Sequence, residues 1–148
     1  MTSPLTTARA NIKTIWEALT PPDLTAQVYR EAARAPEAEA LAQGPSDHRT
    51  FWWVVPASCD ISGEHGGDYS ECAWAFEAKM YLSSVGRSNA QDFDAAANEI
   101  ALLRRAIDKH SSWGAGVMGV KLERVSSEPF KDGVILTFAI DAMTSEED

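Results

Sequence analysis

The chain has 148 residues, 45% of them hydrophobic and 24% charged, a length and balance that fit one globular domain and exclude a disordered, collagenous or membrane-embedded chain. Thirteen basic against twenty-two acidic side chains leave a net charge of −9, which disfavours a protein that must grip a phosphate backbone. Two cysteines, Cys59 and Cys72, are too few for a disulfide scaffold, and no apolar run of signal-peptide or membrane-span type is present, so reduced thiols in a cytosolic setting are expected.

Ser3-Pro4 is a helix start, because serine caps an orphan N–H and proline at the first helical position gives up a donor that has no partner anyway. Leu5, Ala8, Ile12, Ile15, Trp16 and Leu19 then recur at spacings of three and four, the stripe of an amphipathic helix that Thr20-Pro21-Pro22 ends. From Asp23 to Gly44 the pattern is weaker, with a short strand at Gln27 to Arg30 and a short alanine-rich helix at Pro36 to Gln43. Gly44-Pro45-Ser46-Asp47 has turn chemistry. It leads into Thr50-Phe51-Trp52-Trp53-Val54-Val55, an aromatic and β-branched strand with two apolar faces.

After Pro56, the glycine-rich stretch Ile61 to Asp68 reads as a loop between strands. Trp74, Phe76, Ala78, Met80 and Leu82 alternate with Ala75, Glu77, Lys79 and Tyr81, the period-two pattern of a long strand with one buried face. Ser88 followed by Gln91 forms a capping box for a helix whose inner stripe is expected at Phe93, Ala96, Ala97, Ile100, Leu103 and Ile107, with Asp94, Asn98, Glu99, Arg105 and Asp108 outside. A break at Ser111 to Gly116 precedes a hairpin. Met118, Val120 and Leu122 alternate with Lys121 and Glu123 in its first strand, and Val134, Leu136, Phe138 and Ile140 with Thr137 and Asp141 in its second. Residues 1–4 and 144–148 are expected to be flexible ends of a single domain spanning 1–148.

This order predicts an α+β fold, a mostly antiparallel four- to five-stranded sheet with two main helices packed on one face. The other face would carry Glu77, Lys79, Lys121, Glu123 and Asp141 together with Trp52 and Tyr81, a mixture suited to contact with another subunit. Trp52 and Trp53 are neighbours on a strand and point to opposite sides, so one of them leaves the core. Trp113, beside glycine in a loop, is expected to be exposed. Trp16 and Trp74 are expected in the core.

The sequence offers little chemistry. Cys59, His65 and Cys72 lack the paired spacing and the fourth ligand of a structural zinc site. Asp60, Ser62, Glu64 and Asp68 supply oxygens without the order of a calcium loop. Gly63, Gly66 and Gly67 make neither a dinucleotide fingerprint nor a phosphate loop. Ser58, Ser62, His48 and His110 have no nucleophile elbow around them. Asp92 and Asp94 point to different sides of their helix and serve its dipole. No enzyme activity, cofactor or metal is expected.

The N-terminal helix, the strand ending in Phe76-Glu77-Ala78-Lys79-Met80-Tyr81-Leu82, the helix Asp92 to Lys109 and the hairpin around Glu128-Pro129-Phe130-Lys131-Asp132-Gly133-Val134 together resemble the tail terminator (tail completion) proteins of long-tailed bacteriophages. The likeness lies in length, element order and strand patterning. It implies a structural virion protein, assembled in the host cytoplasm, that forms a homo-oligomeric, hexameric ring, caps the tail tube, ends its polymerisation and meets the head–tail connector or head completion protein. DNA would pass through the acidic channel without specific binding. On this reading Trp52, Tyr81 and Trp113 are expected at the subunit interface, and Asp60, Glu64, His65, Asp68, Glu146 and Glu147 at axial contacts with tube or connector. Other neck or tail tube components of related fold are the alternative, and a small monomeric binding module, or an enzyme using Cys59 and His65, a more distant one.

Overall fold

The computed structural model describes residues 3–22, 28–41, 48–62 and 69–147, and of 38, 39, 48, 69 and 147 the backbone only. The turn at Gly44 to Asp47 and the Gly63 to Asp68 part of the expected loop lie outside the described residues. Helix α1 (Pro4–Glu17) starts as its sequence demands: the Ser3 hydroxyl accepts from the Leu5 N–H and proline sits in the first turn. Its buried residues are Leu5, Ala8, Ile12 and Trp16. Strand β1 (Val28–Glu31) and the single helical turn α2 (Ala38–Leu41) occupy the segment where the pattern was weakest.

The sheet follows from β2 (His48–Ser62), β3 (Tyr69–Ser83), β4 (Val117–Phe130) and β5 (Gly133–Glu147), in the spatial order β1-β2-β3-β5-β4. Only β1 is parallel to its neighbour; the other pairings are antiparallel. The fold is therefore α+β, with a mostly antiparallel five-stranded sheet and two main helices, α1 and α3 (Asn89–Lys109). Phe76, Ala78, Met80 and Leu82 of β3 and Leu136, Phe138 and Ile140 of β5 form one core with Leu5, Ile12 and Trp16 of α1 and Leu103 and Ile107 of α3. Trp16 is its centre. It stacks on Trp53 at 6.0 Å and meets Phe51 and Phe138 at 5.5 Å each, contacts that add geometric preference to the burial of large apolar area.

Three strand expectations are corrected. β2 runs through Pro56 to Ser62 instead of ending there, because the register with β3 skips from Val54 to Ser58 and the proline falls in that irregularity, where no ladder bond is asked of it. In β4 the inward residues are Val117, Val120, Leu122 and Val125, while Met118 stands exposed. Irregularities at Val117/Gly119 and Leu122/Arg124 each insert a residue and switch the parity of the strand. Residues 144–147 are not a frayed tail, while residues 1, 2 and 148 of the expected flexible ends lie outside the described residues. β3 is long enough to pair Ser145, Glu146 and Glu147 with Glu71, Ser70 and Tyr69. Thr144 is fully buried and accepts a hydrogen bond from Trp74 Nε1 at 3.0 Å. At the other end Ser3 is tied down as well, donating to Glu146 Oε1 at 3.2 Å.

α3 keeps its capping box, with the Gln91 N–H donating to Ser88 Oγ at 3.2 Å and the Ser88 N–H to Gln91 Oε1 at 2.8 Å. Its inner stripe differs from the expected one. Phe93 is 74% exposed and Ala97 lies outside, whereas Glu99 is 0% exposed beside Leu103 and Ile107. Counting every carboxylate as outward misplaces this face, since two strands supply Glu99 with a cation and a hydroxyl.

Candidate functional site

Glu99 is the centre of a buried polar cluster. Its Oε1 lies 2.9 Å from Arg49 Nη2 of β2, and its Oε2 accepts from the Tyr29 hydroxyl of β1. A charge taken out of water needs such partners. Burial raises the Glu99 carboxyl above the usual range, with Arg49 and the Tyr29 hydrogen bond opposing the rise. Burial, then the Glu99 charge, raise the Tyr29 hydroxyl strongly. Beside this cluster Trp53 Nε1 donates to Glu31 Oε2 at 2.6 Å, and the Arg9 guanidinium lies over the Trp53 ring at 5.8 Å. These groups fasten the short parallel strand β1 to β2, α1 and α3. The sequence signal for them was faint: Ala96, Glu99, Leu103 and Ile107 have helical stripe spacing with a carboxylate in it.

The sheet face away from the helices has two halves. One is covered: Trp52, Tyr81 and Ile135 pack with Leu41 of α2, and Phe130 and Ala32 flank them. Trp52 and Tyr81 thus lie on the expected face, but they are 6% and 8% exposed, because the α2 turn closes over them. Trp113 is 5% exposed in the main core, where its carbonyl accepts from Asn11 Nδ2 at 2.6 Å and its ring meets His110 edge-on at 4.4 Å. The exposure expected at Trp52, Tyr81 and Trp113 is therefore corrected.

Among the described residues nothing covers the other half. Two adjoining hollows of about 440 and 490 Å³ share Ala75 and Asp141. Ala73, Ala75 and Ala139 line them together with Asp60, Glu77, Lys121, Glu123, Arg124 and Asp141. Lys121 and Glu123 pair at 3.4 Å in the open, where such a pair contributes little to stability.

The edges of the sheet complete the surface. β4 has β5 on one side and, among the described residues, no strand on the other; β2 beyond Phe51 has only β3. Three successive antiparallel pairings separate β2 from β4, so these two free edges run in opposite directions. Val55 and Ile61 of β2 and Met118 of β4 are exposed there. Exposed strand edges are rows of unpaired donors and acceptors, ready to pair with another chain.

Of the expected axial residues, Asp60 is exposed on β2, Glu146 is half-buried and holds the Ser3 hydroxyl, and Glu147 is on β5 opposite Tyr69. Glu64, His65 and Asp68 lie outside the described residues. Ser58 and Ser62 are exposed on β2, while His110 sits against Trp113 at the end of α3. Among the described residues no group of three or more His, Cys, Asp or Glu side chains is placed to hold a metal ion, and no helix is long and apolar enough to cross a membrane. No protein-family profile matches the chain, and no curated protein is significantly similar to it.

Proposed function

We propose that this protein is a structural component of a long-tailed bacteriophage, a tail terminator that closes into a ring, caps the tail tube and joins it to the head connector. The observation that carries the reading is the pair of oppositely directed edges on β2 and β4 that no strand covers among the described residues. Rotating one copy about an axis along the strands brings its β2 edge beside the β4 edge of its neighbour in antiparallel sense, the same sense as the pairings within the sheet. Such a contact is heterologous, and a heterologous contact closes into a ring when the rotation between copies divides the full turn evenly. Pro56 and the irregularity around it confine the pairing on β2 to residues 58–62.

The subunit contact accordingly moves from the three aromatics to the strand edges, with Val55, Ile61 and Met118 contributing the apolar area. With the helices outside, the opposite face of the sheet lines the channel and presents Asp60, Glu77, Glu123 and Asp141 to it, against Lys121 and Arg124. A chain of net charge −9 then lets DNA pass without adhering.

Electron microscopy of the concentrated protein, alone and with tail tubes, tests this reading. Rings of six are expected, on tube ends where tubes are present, and tubes assembled without the protein should grow to unregulated length. Bare tube ends, with no effect on tube length, would overturn the terminator role.

A further inference from the structure

Cys59 on β2 lies opposite Trp74 of β3, and Cys72 lies opposite Ile61. Side chains two apart on a strand share a face, so the two thiols are diagonal neighbours on one face of the same strand pair. Cys72 is near enough to Cys59 to contribute to the raised pKa of its thiol. Cys59 is half-buried and Cys72 buried, so one thiol is reachable from solvent and the other from its partner. A disulfide needs closer Cβ atoms than a diagonal pair supplies, and bridging must draw the two residues together. Residues 58–62 already pair with β3, so the bridge forms by a shift of β2 along β3, and among the described residues no second strand beside β2 resists that shift.

We propose that Cys59 and Cys72 form a reversible thiol–disulfide pair that a small-molecule disulfide such as oxidised glutathione converts into a bridge between β2 and β3. The Cys59 thiolate attacks one glutathione sulfur and expels the other as a thiol. The Cys72 thiolate then attacks Cys59 Sγ and expels the second glutathione thiol. The two cysteine protons end on the two released thiols; the cysteines are oxidised and one glutathione disulfide is reduced. Because closure strains the strand pair, the bridge opens readily in excess reduced thiol, unlike the structural disulfides of secreted proteins. Burial, the neighbouring Cys72 and the charges of Asp60 and Glu146 raise the Cys59 thiol, so bridging accelerates as pH rises and the thiolate fraction grows. This inference concerns the unassembled protein, because pairing of residues 58–62 in the proposed ring would hold β2 in place.

The folded protein is incubated with oxidised glutathione, quenched with acid, and read by intact mass and by peptide mapping without reductant. The expected result is loss of two hydrogens, a Cys59–Cys72 linked peptide, and full reversal by reduced glutathione. Cys72→Ala should instead accumulate a stable glutathione adduct on Cys59. Two thiols that stay alkylatable in the wild type, a persistent adduct without bridging, or no adduct on Cys72→Ala would each overturn the proposal.

Discussion

Replacing Arg49 by methionine takes the nearest cation from the buried Glu99 carboxylate and leaves the weaker influence of Arg87, and the pH dependence of the loss is fixed by the structure. Glu99 is fully buried, and the Arg49 charge is the largest influence opposing the burial that raises its carboxyl. The folded chain thus holds this proton to higher pH than the unfolded chain does. The stability associated with it is fully present below the free carboxyl value of about 4.3 and is lost as pH rises through the folded value. Removing Arg49 lifts the folded value further and extends the loss upward. Binding a proton at pH 7, about 2.7 units above the free value, costs about 3.7 kcal/mol, which caps the ionic part of the loss. With roughly 2–4 °C per kcal/mol for a chain of this size, the ionic part of the loss should lower the midpoint by at most roughly 7–15 °C at pH 7. Thermal unfolding followed by circular dichroism from pH 5 to pH 8 measures it. The gap between Arg49→Met and wild type should widen with pH by at most about 1.4 kcal/mol per unit, and adding Glu99→Gln should recover most of the loss at pH 8. A gap independent of pH, or a double variant no better than the single one, would refute the reasoning.

Trp52→Ala and Trp113→Ala should each lower folding stability by about 3–5 kcal/mol in a dilute monomer, since both side chains are buried within one chain; urea midpoints unchanged from wild type would contradict that burial. Phe138→Ala, at a fully buried position against Trp16, should lose about 3–5 kcal/mol by the same measurement. Above pH ~10, the free tyrosine value, wild-type stability should decline, because burial and Glu99 hold the Tyr29 proton in the folded state only. Tyr29→Phe should flatten that decline in alkaline unfolding curves, with a residual slope from Tyr81, which burial also raises.

Elements whose signal is local were legible in the sequence. The Ser3-Pro4 start and the Ser88/Gln91 box depend on residues within a turn of each other and are present as read. The even alternation from Trp74 to Leu82 placed the two faces of β3 because that strand has no irregularity with β5. Where an inserted residue switches parity, as at Met118, alternation misleads. Glu99 was misplaced for a different reason: what makes a carboxylate tolerable inside is Arg49 and Tyr29, fifty and seventy residues away. Trp52, Tyr81 and Trp113 were read as open because most of their cover, the α2 turn and α1, comes from residues far away in sequence. The alanine-lined half of the second face and the edges of the sheet are properties of strand order, which composition and periodicity do not encode.

Amide hydrogen exchange, compared between dilute protein and protein assembled on tail tubes, tests the strand-edge contact most directly. The outward-facing amides of residues 58–62 and of β4 should exchange rapidly in the dilute protein and become protected together on assembly, at a stoichiometry of six chains per tube end. Assembly that leaves both edges exchanging as before, or that protects the face of α3 instead, would contradict a ring built by pairing β2 of one copy with β4 of the next.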